Sequence, residues 1–146
     1  MGRSAGRRPA SPSTTNPALF NYRHGLELVM KSIISHYASY AGVVIKNTHH
    51  HNLWRLWEVT RQIIVVVGSD DPAIPTVEQV VKDFHDLDRR ADAFRYSRDQ
   101  RGTLIPLPDW AIDLPNLRGV MEGVNNFFEG ANAQMEHNVS AMDWEA

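Results

Sequence analysis

The sequence predicts an all-α protein, an antiparallel four-helix bundle with a long irregular loop before its last helix. Three observations carry this. Four stretches place apolar residues three and four apart over several turns. Proline, glycine and small polar residues cluster between those stretches. The chain has 146 residues and no internal repeat, enough for one core and too little for two ordinary domains. Short or moderate connections join neighbours head to tail, which implies antiparallel packing. At 42% hydrophobic and 22% charged residues, the composition is that of an ordinary globular chain.

Residues 1–15 hold Arg3, Arg7 and Arg8 among glycine, serine and proline, without an apolar period. They read as a disordered basic tail, able to touch phosphate but more simply a solvated terminus. Residues 16–139 form the predicted domain, and 140–146 a frayed end. The first helix opens at Asn16-Pro17, a capping residue followed by a proline suited to the first turn. Leu19, Tyr22, Leu26, Val29, Ile33, Tyr37, Tyr40 and Val44 form its apolar stripe, so the helix is expected to reach about Val44. Arg23, Glu27 and Lys31 stand four apart on another line, where they can form a ladder of alternating charge. Gly25 and Gly42 each weaken the helix by about 1 kcal/mol relative to alanine. Gly25 suits a close helix crossing, and the β-rich Gly42-Val-Val-Ile suits fraying.

Leu53, Leu56, Trp57, Thr60, Ile63, Ile64 and Val67 define the second helix, with Gly68 as its end. The run Ile63 to Val67 is β-branched, but nothing before it signals a turn. Thr76 with Gln79 matches a capping box, and Val77, Val80, Val81, Phe84, Leu87 and Ala91 follow on one face of the third helix. From Asp92 to Pro115 the period vanishes, a length typical of functional loops. The last helix starts near Asp113-Leu-Pro, with Asp113 or Asn116 as its cap. It carries Leu117, Val120, Met121, Val124, Phe127, Phe128, Ala131 and Met135, and fraying is expected after about His137.

Composition limits function. There is no cysteine, which rules out disulfides and thiolate sites and fits a cytoplasmic setting. No apolar run is long enough for a membrane span. A net charge of −2 provides no global pull on nucleic acid, so any such site is a local patch. The best local patch is Arg89 to Arg101, where five arginines against Asp92 and Asp99 leave +3. Arg95, Arg98 and Arg101 with the Tyr96 ring are the candidate phosphate or nucleic-acid binders, because forked guanidinium groups hold phosphate and rings stack on bases. The plainer reading ties Arg95 to helix carbonyls or to Glu27. His24, beside Arg23 and one turn from Glu27, is the candidate general base or acid for RNA cleavage, with Glu27 orienting its ring and Arg23 supplying the cation. The plainer reading is a surface histidine bonded to Glu27.

His49-His50-His51 does not amount to a metal site, since consecutive side chains diverge, and no Glu-x-x-His pair occurs. No metal and no cofactor is expected. Trp57 belongs to the second helix's stripe, whereas Trp54 lies off it and suits a subunit interface.

Four stretches in order resemble the HEPN family of nucleotide-binding helical bundles found in prokaryotes and higher eukaryotes. Tyr22-Arg-His with Glu27 and Lys31 resembles its opening helix. His51-Asn-Leu-Trp-Arg-Leu resembles its His-x-Leu-x-x-Leu. Ala93-Phe-Arg-Tyr-Ser resembles a Phe-Arg-Tyr-Pro after the third helix, and Asp113-Leu-Pro-Asn-Leu-Arg-Gly-Val-Met-Glu the start of the last. The resemblance implies a homodimer that binds RNA, a nucleotide or a protein such as a nucleotidyltransferase-like antitoxin, in a bacterial defence or toxin–antitoxin setting. The chain departs from the family's ribonucleases, which carry a histidine four to six residues after an arginine. Lys31-Ser-Ile-Ile-Ser-His36 and Lys46-Asn-Thr-His-His-His51 keep that spacing with lysine, which lacks arginine's planar fork. A binding module without the usual nuclease motif is the first expectation. A metal-independent ribonuclease with a non-standard set, or a structural interaction module, is the alternative.

Overall fold

The computed structural model describes residues 17–45, 48–97 and 114–145, with backbone alone for 90–97 and 144–145. Among them are four α-helices and no strand: α1 (Pro17–Tyr37), α2 (Leu53–Val67), α3 (Ile74–Ser97) and α4 (Leu114–Glu145). The basic tail, the Asn16 and Asp113 caps and most of the loop before α4 lie outside the described residues.

Where each helix stops follows from local chemistry. α1 ends at Tyr37, short of Val44, and a 3-10 turn (Ser39–Ala41) closes on Gly42 at φ 71°. That left-handed conformation costs glycine little, and the Gly42 N–H donates to the Ser39 carbonyl. Asn52 begins α2 by accepting the Arg55 N–H on its side chain, at 3.0 Å. Gly68 ends α2 as expected, at φ −100° rather than in the left-handed region. It is needed for space: a Cβ there would lie 2.9 Å from the Ile64 carbonyl oxygen and 3.2 Å from Met135 Cγ on α4. The expected Thr76 capping box does not form, because α3 starts earlier. Asp71 Oδ1 accepts the Ala73 N–H instead, at 2.8 Å. α3 runs past Asp92 to Ser97, since residues 92–97 hold neither proline nor glycine. α4 continues beyond His137 to Glu145, with Asn138 donating to the Val67 carbonyl at 2.7 Å and Tyr40 to Asp143 at 3.3 Å.

One apolar core joins the helices. Trp57, Phe84, Met30, Leu53, Leu56, Ile63, Leu117 and Met135 are fully buried within it. Phe128 meets Trp57 edge-on at 6.4 Å and Phe127 at 5.2 Å. The Trp57 indole N–H donates to Glu78 at 3.1 Å, so the buried ring keeps its polar group satisfied. Trp54 is half-buried against the same core.

The helix directions differ from a simple antiparallel bundle. Along α4, Trp57 meets Phe128 and Val67 meets Asn138, so α2 and α4 run the same way. Asn21 to Val29 face Met121 to Phe128, and Tyr37 bonds Asn132, so α1 runs with them as well. Arg23, early in α1, bonds Asp88, late in α3, so α3 alone runs the opposite way. The cause is the connection 38–52. Fifteen residues are enough to return along α1, which is roughly 31 Å long at 1.5 Å per residue.

Two glycines give opposite predictions. A Cβ on Gly25 would meet nothing within 4 Å. Gly25→Ala should therefore raise stability by up to about 1 kcal/mol. Gly68→Ala should lower it by about 1–3 kcal/mol, because the added Cβ presses on the Ile64 carbonyl oxygen and displaces the Met135 side chain. Thermal or urea unfolding of the two variants reads the signs.

Candidate functional site

The charge ladder read on α1 is present, and it is the frame of the site. Glu27 is 3% exposed, the only charged residue in the core among the described residues. Such a position is costly unless the charge is paired. Arg23 Nη1 donates to Glu27 Oε1 at 2.9 Å and Lys31 Nζ to Oε2 at 2.9 Å, from one turn before and one turn after. A third donor comes from outside the helix: His51 Nδ1 lies 2.5 Å from Oε2.

Arg23 extends the cluster to two other segments. Its Nε donates to both carboxylate oxygens of Asp88 on α3, each at 2.9 Å, and its Nη2 to the His51 carbonyl at 2.8 Å. One guanidinium thus links α1, α3 and the segment before α2, a task suited to its planar fork.

The electrostatics follow from these contacts. Burial alone would raise the Glu27 pKa. Hydrogen bonds from Lys31, His51 and Arg23 outweigh it and hold the carboxyl at about 2, below its ordinary 4.5. Burial works against the Arg23 charge too, yet Asp88 and Glu27 keep its pKa above the usual value. Glu27 is therefore an ionised, acceptor-only group at neutral pH. The His51 nitrogen facing it must carry the proton, since a carboxylate has none to give. The His51 side chain is 75% exposed, which leaves Nε2 open to solvent. In the neutral ring with Nδ1 protonated, Nε2 is the basic nitrogen.

The predicted residues divide accordingly. Arg23 and Glu27 come together as expected. His24 is exposed, and the histidine that Glu27 orients is His51. The three consecutive histidines diverge: His50 Nδ1 accepts the Asn52 N–H while His51 points to Glu27. Among the described residues no cluster of three metal-ligating side chains occurs. Arg95 and Tyr96 belong to the last turns of α3 rather than to a loop. Their side chains, and Arg98 and Arg101 altogether, lie outside the described residues. Sequence reasoning missed His51 and Asp88 as members of the site. The signal for His51 was the His-x-Leu-x-x-Leu segment. Asp88 had no signal beyond its place beside Leu87 on the third helix.

Replacing the carboxylate by an amide leaves one acceptor oxygen for three donors, removes the charge and sets an N–H group against a donor. Glu27→Gln should destabilise the fold by about 2–4 kcal/mol, less than for a fully enclosed pair because His51 stays in water. Since the folded carboxyl titrates near 2 and the unfolded one near 4.5, the unfolded chain takes up the proton first. The stabilisation is complete above pH 4.5 and is lost as pH falls toward 2. Urea unfolding across pH 2–6 should show this slope in the wild type and a flatter one in Glu27→Gln.

No family model, no curated protein and no solved structure matches this chain.

Proposed function

We propose that this chain is a HEPN-like, homodimeric module that binds RNA or a nucleotide in the cytoplasm. The observation that carries this reading is the exposed His51 ring, held from behind by the buried Glu27 carboxylate and placed beside Lys31 and Arg23. Its surroundings suit nucleic acid. His24 lies three residues from Glu27, and Phe20 four residues before His24, so both share that flank of α1. Phe20 is 68% exposed, an aromatic surface on which a base can stack. Because Arg23 bonds Asp88, the arginine-rich end of α3 begins next to the same cluster. A nucleotidyltransferase-like protein partner, in a defence or toxin–antitoxin setting, belongs to this reading through the HEPN resemblance alone.

The Glu27–His51 pair favours a second reading. A carboxylate that fixes a histidine tautomer and leaves Nε2 exposed is an arrangement for general-base work. In a metal-independent ribonuclease, His51 rather than His24 would then take the proton from the 2′-hydroxyl, with Lys31 or Arg23 near the phosphate.

Labelled RNA with purified protein in excess chelator separates the readings. A gel shift without cutting is expected. Arg95→Ala with Arg98→Ala should then weaken binding and reduce the salt slope by roughly 1–2. Cutting that His51→Ala abolishes and His24→Ala spares would establish the ribonuclease. Neither shift nor cutting would overturn both.

A further inference from the structure

The opposite flank of α1 carries a second feature that the Glu27 cluster does not use. Asn21, Gly25 and Val29 stand four apart there, and α4 does not close against them. Between the two helices lies a cleft of about 270 Å³. Its floor is apolar, made of Tyr22, Leu26, Val29, Met121, Val124 and Phe128. Gly25 sits at its edge, and a Cβ there would touch nothing within 4 Å. Packing within the chain therefore does not need this glycine, although it weakens the middle of α1.

The two lips differ in charge. On α4, Glu122, Asn125, Glu129, Asn132 and Glu136 alternate at three and four residues and form one polar stripe, with Arg118 one turn before Glu122 as a cation at its start. Glu122 and Asn125 line the cleft itself. Further along, Tyr37 donates to Asn132 at 3.1 Å, and the Glu136 charge helps to raise the Tyr37 pKa, so the stripe follows α1 along its length. The α1 lip has no carboxylate, lysine or arginine: Asn21, Gly25 and the exposed Leu28 and Ser32, with His36 one turn further on. An apolar trough is thus bordered by acid on one side and by small or apolar residues on the other.

We propose that this groove seats an amphipathic helix of a partner protein, one with about two turns of apolar side chains and lysine or arginine along one edge. The apolar stripe would fill the cleft beside Gly25, and the basic edge would meet Glu122 and Glu129. Shape argues against a second copy in two-fold contact. Such a contact sets the concave patch against itself and leaves the trough unfilled, and with the axis across the groove it also brings acidic lip to acidic lip.

The test uses helical probe peptides of about 15 residues. One has a leucine stripe edged with lysine, the other the same stripe edged with glutamate. Each is titrated into the ¹⁵N-labelled full chain. The lysine-edged peptide should shift the amides of Gly25, Val29, Glu122 and Asn125, and bind about tenfold more tightly than its glutamate counterpart. Gly25→Leu, which fills the cleft, should abolish binding while circular dichroism stays native and thermal unfolding comes no earlier than in the wild type. Glu122→Gln with Glu129→Gln, conservative changes on an exposed lip, should erase the preference between the peptides. Equal binding of both peptides, shifts elsewhere, binding that survives Gly25→Leu, or no binding would overturn the proposal. A wild-type dimer in light scattering that Gly25→Leu splits would put a second copy in the groove, and would overturn it as well.

Discussion

A buried carboxylate is the constraint on which the rest of this structure depends. Glu27 enters a core whose other buried side chains among the described residues are apolar, Thr60 apart, and its charge must be matched there. Two matching groups come from its own helix at the cheapest spacing, one turn either way. The third, His51, comes from the segment before α2, and Arg23 adds Asp88 from α3. Meeting the needs of one charge thus fixes the relative placement of three segments. An apolar residue in its place would pack, but it would give no reason for the 38–52 connection to return to this point on α1.

That return decides the topology. Once the chain comes back to the level of Glu27 before starting α2, α2 must run in the direction of α1. The short turn into α3 then reverses the chain, and Arg23 meets Asp88 past the middle of α3. α4 lies along α1 and α2 in their own direction. α1 ends up with two working flanks. One presents the oriented histidine with its cationic neighbours, and the other borders an apolar trough with an acidic lip.

Much of this is legible in the sequence, and the limits have physical causes. The apolar stripes show all four helices, because helical period depends on local spacing alone. The second helix even resists its β-branched run from Ile63 to Val67, since the stripe from Leu53 onward buries a continuous face. The Arg23–Glu27–Lys31 ladder is visible for the same local reason. Helix direction is not, because connection length permits a return without requiring it. The partner of Glu27 is not either. His24 is its neighbour in sequence, but it points to water, and His51 is 24 residues away. Ends are decided by single contacts, such as the left-handed Gly42 and the Asp71 turn, that propensity does not weigh.

The central claim is that the Glu27 carboxylate fixes the His51 ring with Nδ1 protonated and Nε2 facing solvent. Long-range ¹H–¹⁵N NMR on ring-labelled histidine, assigned with a His51→Ala sample and recorded where the ring is neutral, tests it directly. The account predicts an Nδ1–H tautomer for His51 that reverts to the ordinary mixture in Glu27→Gln. A predominantly Nε2–H ring in the wild type, unchanged by the substitution, would contradict it.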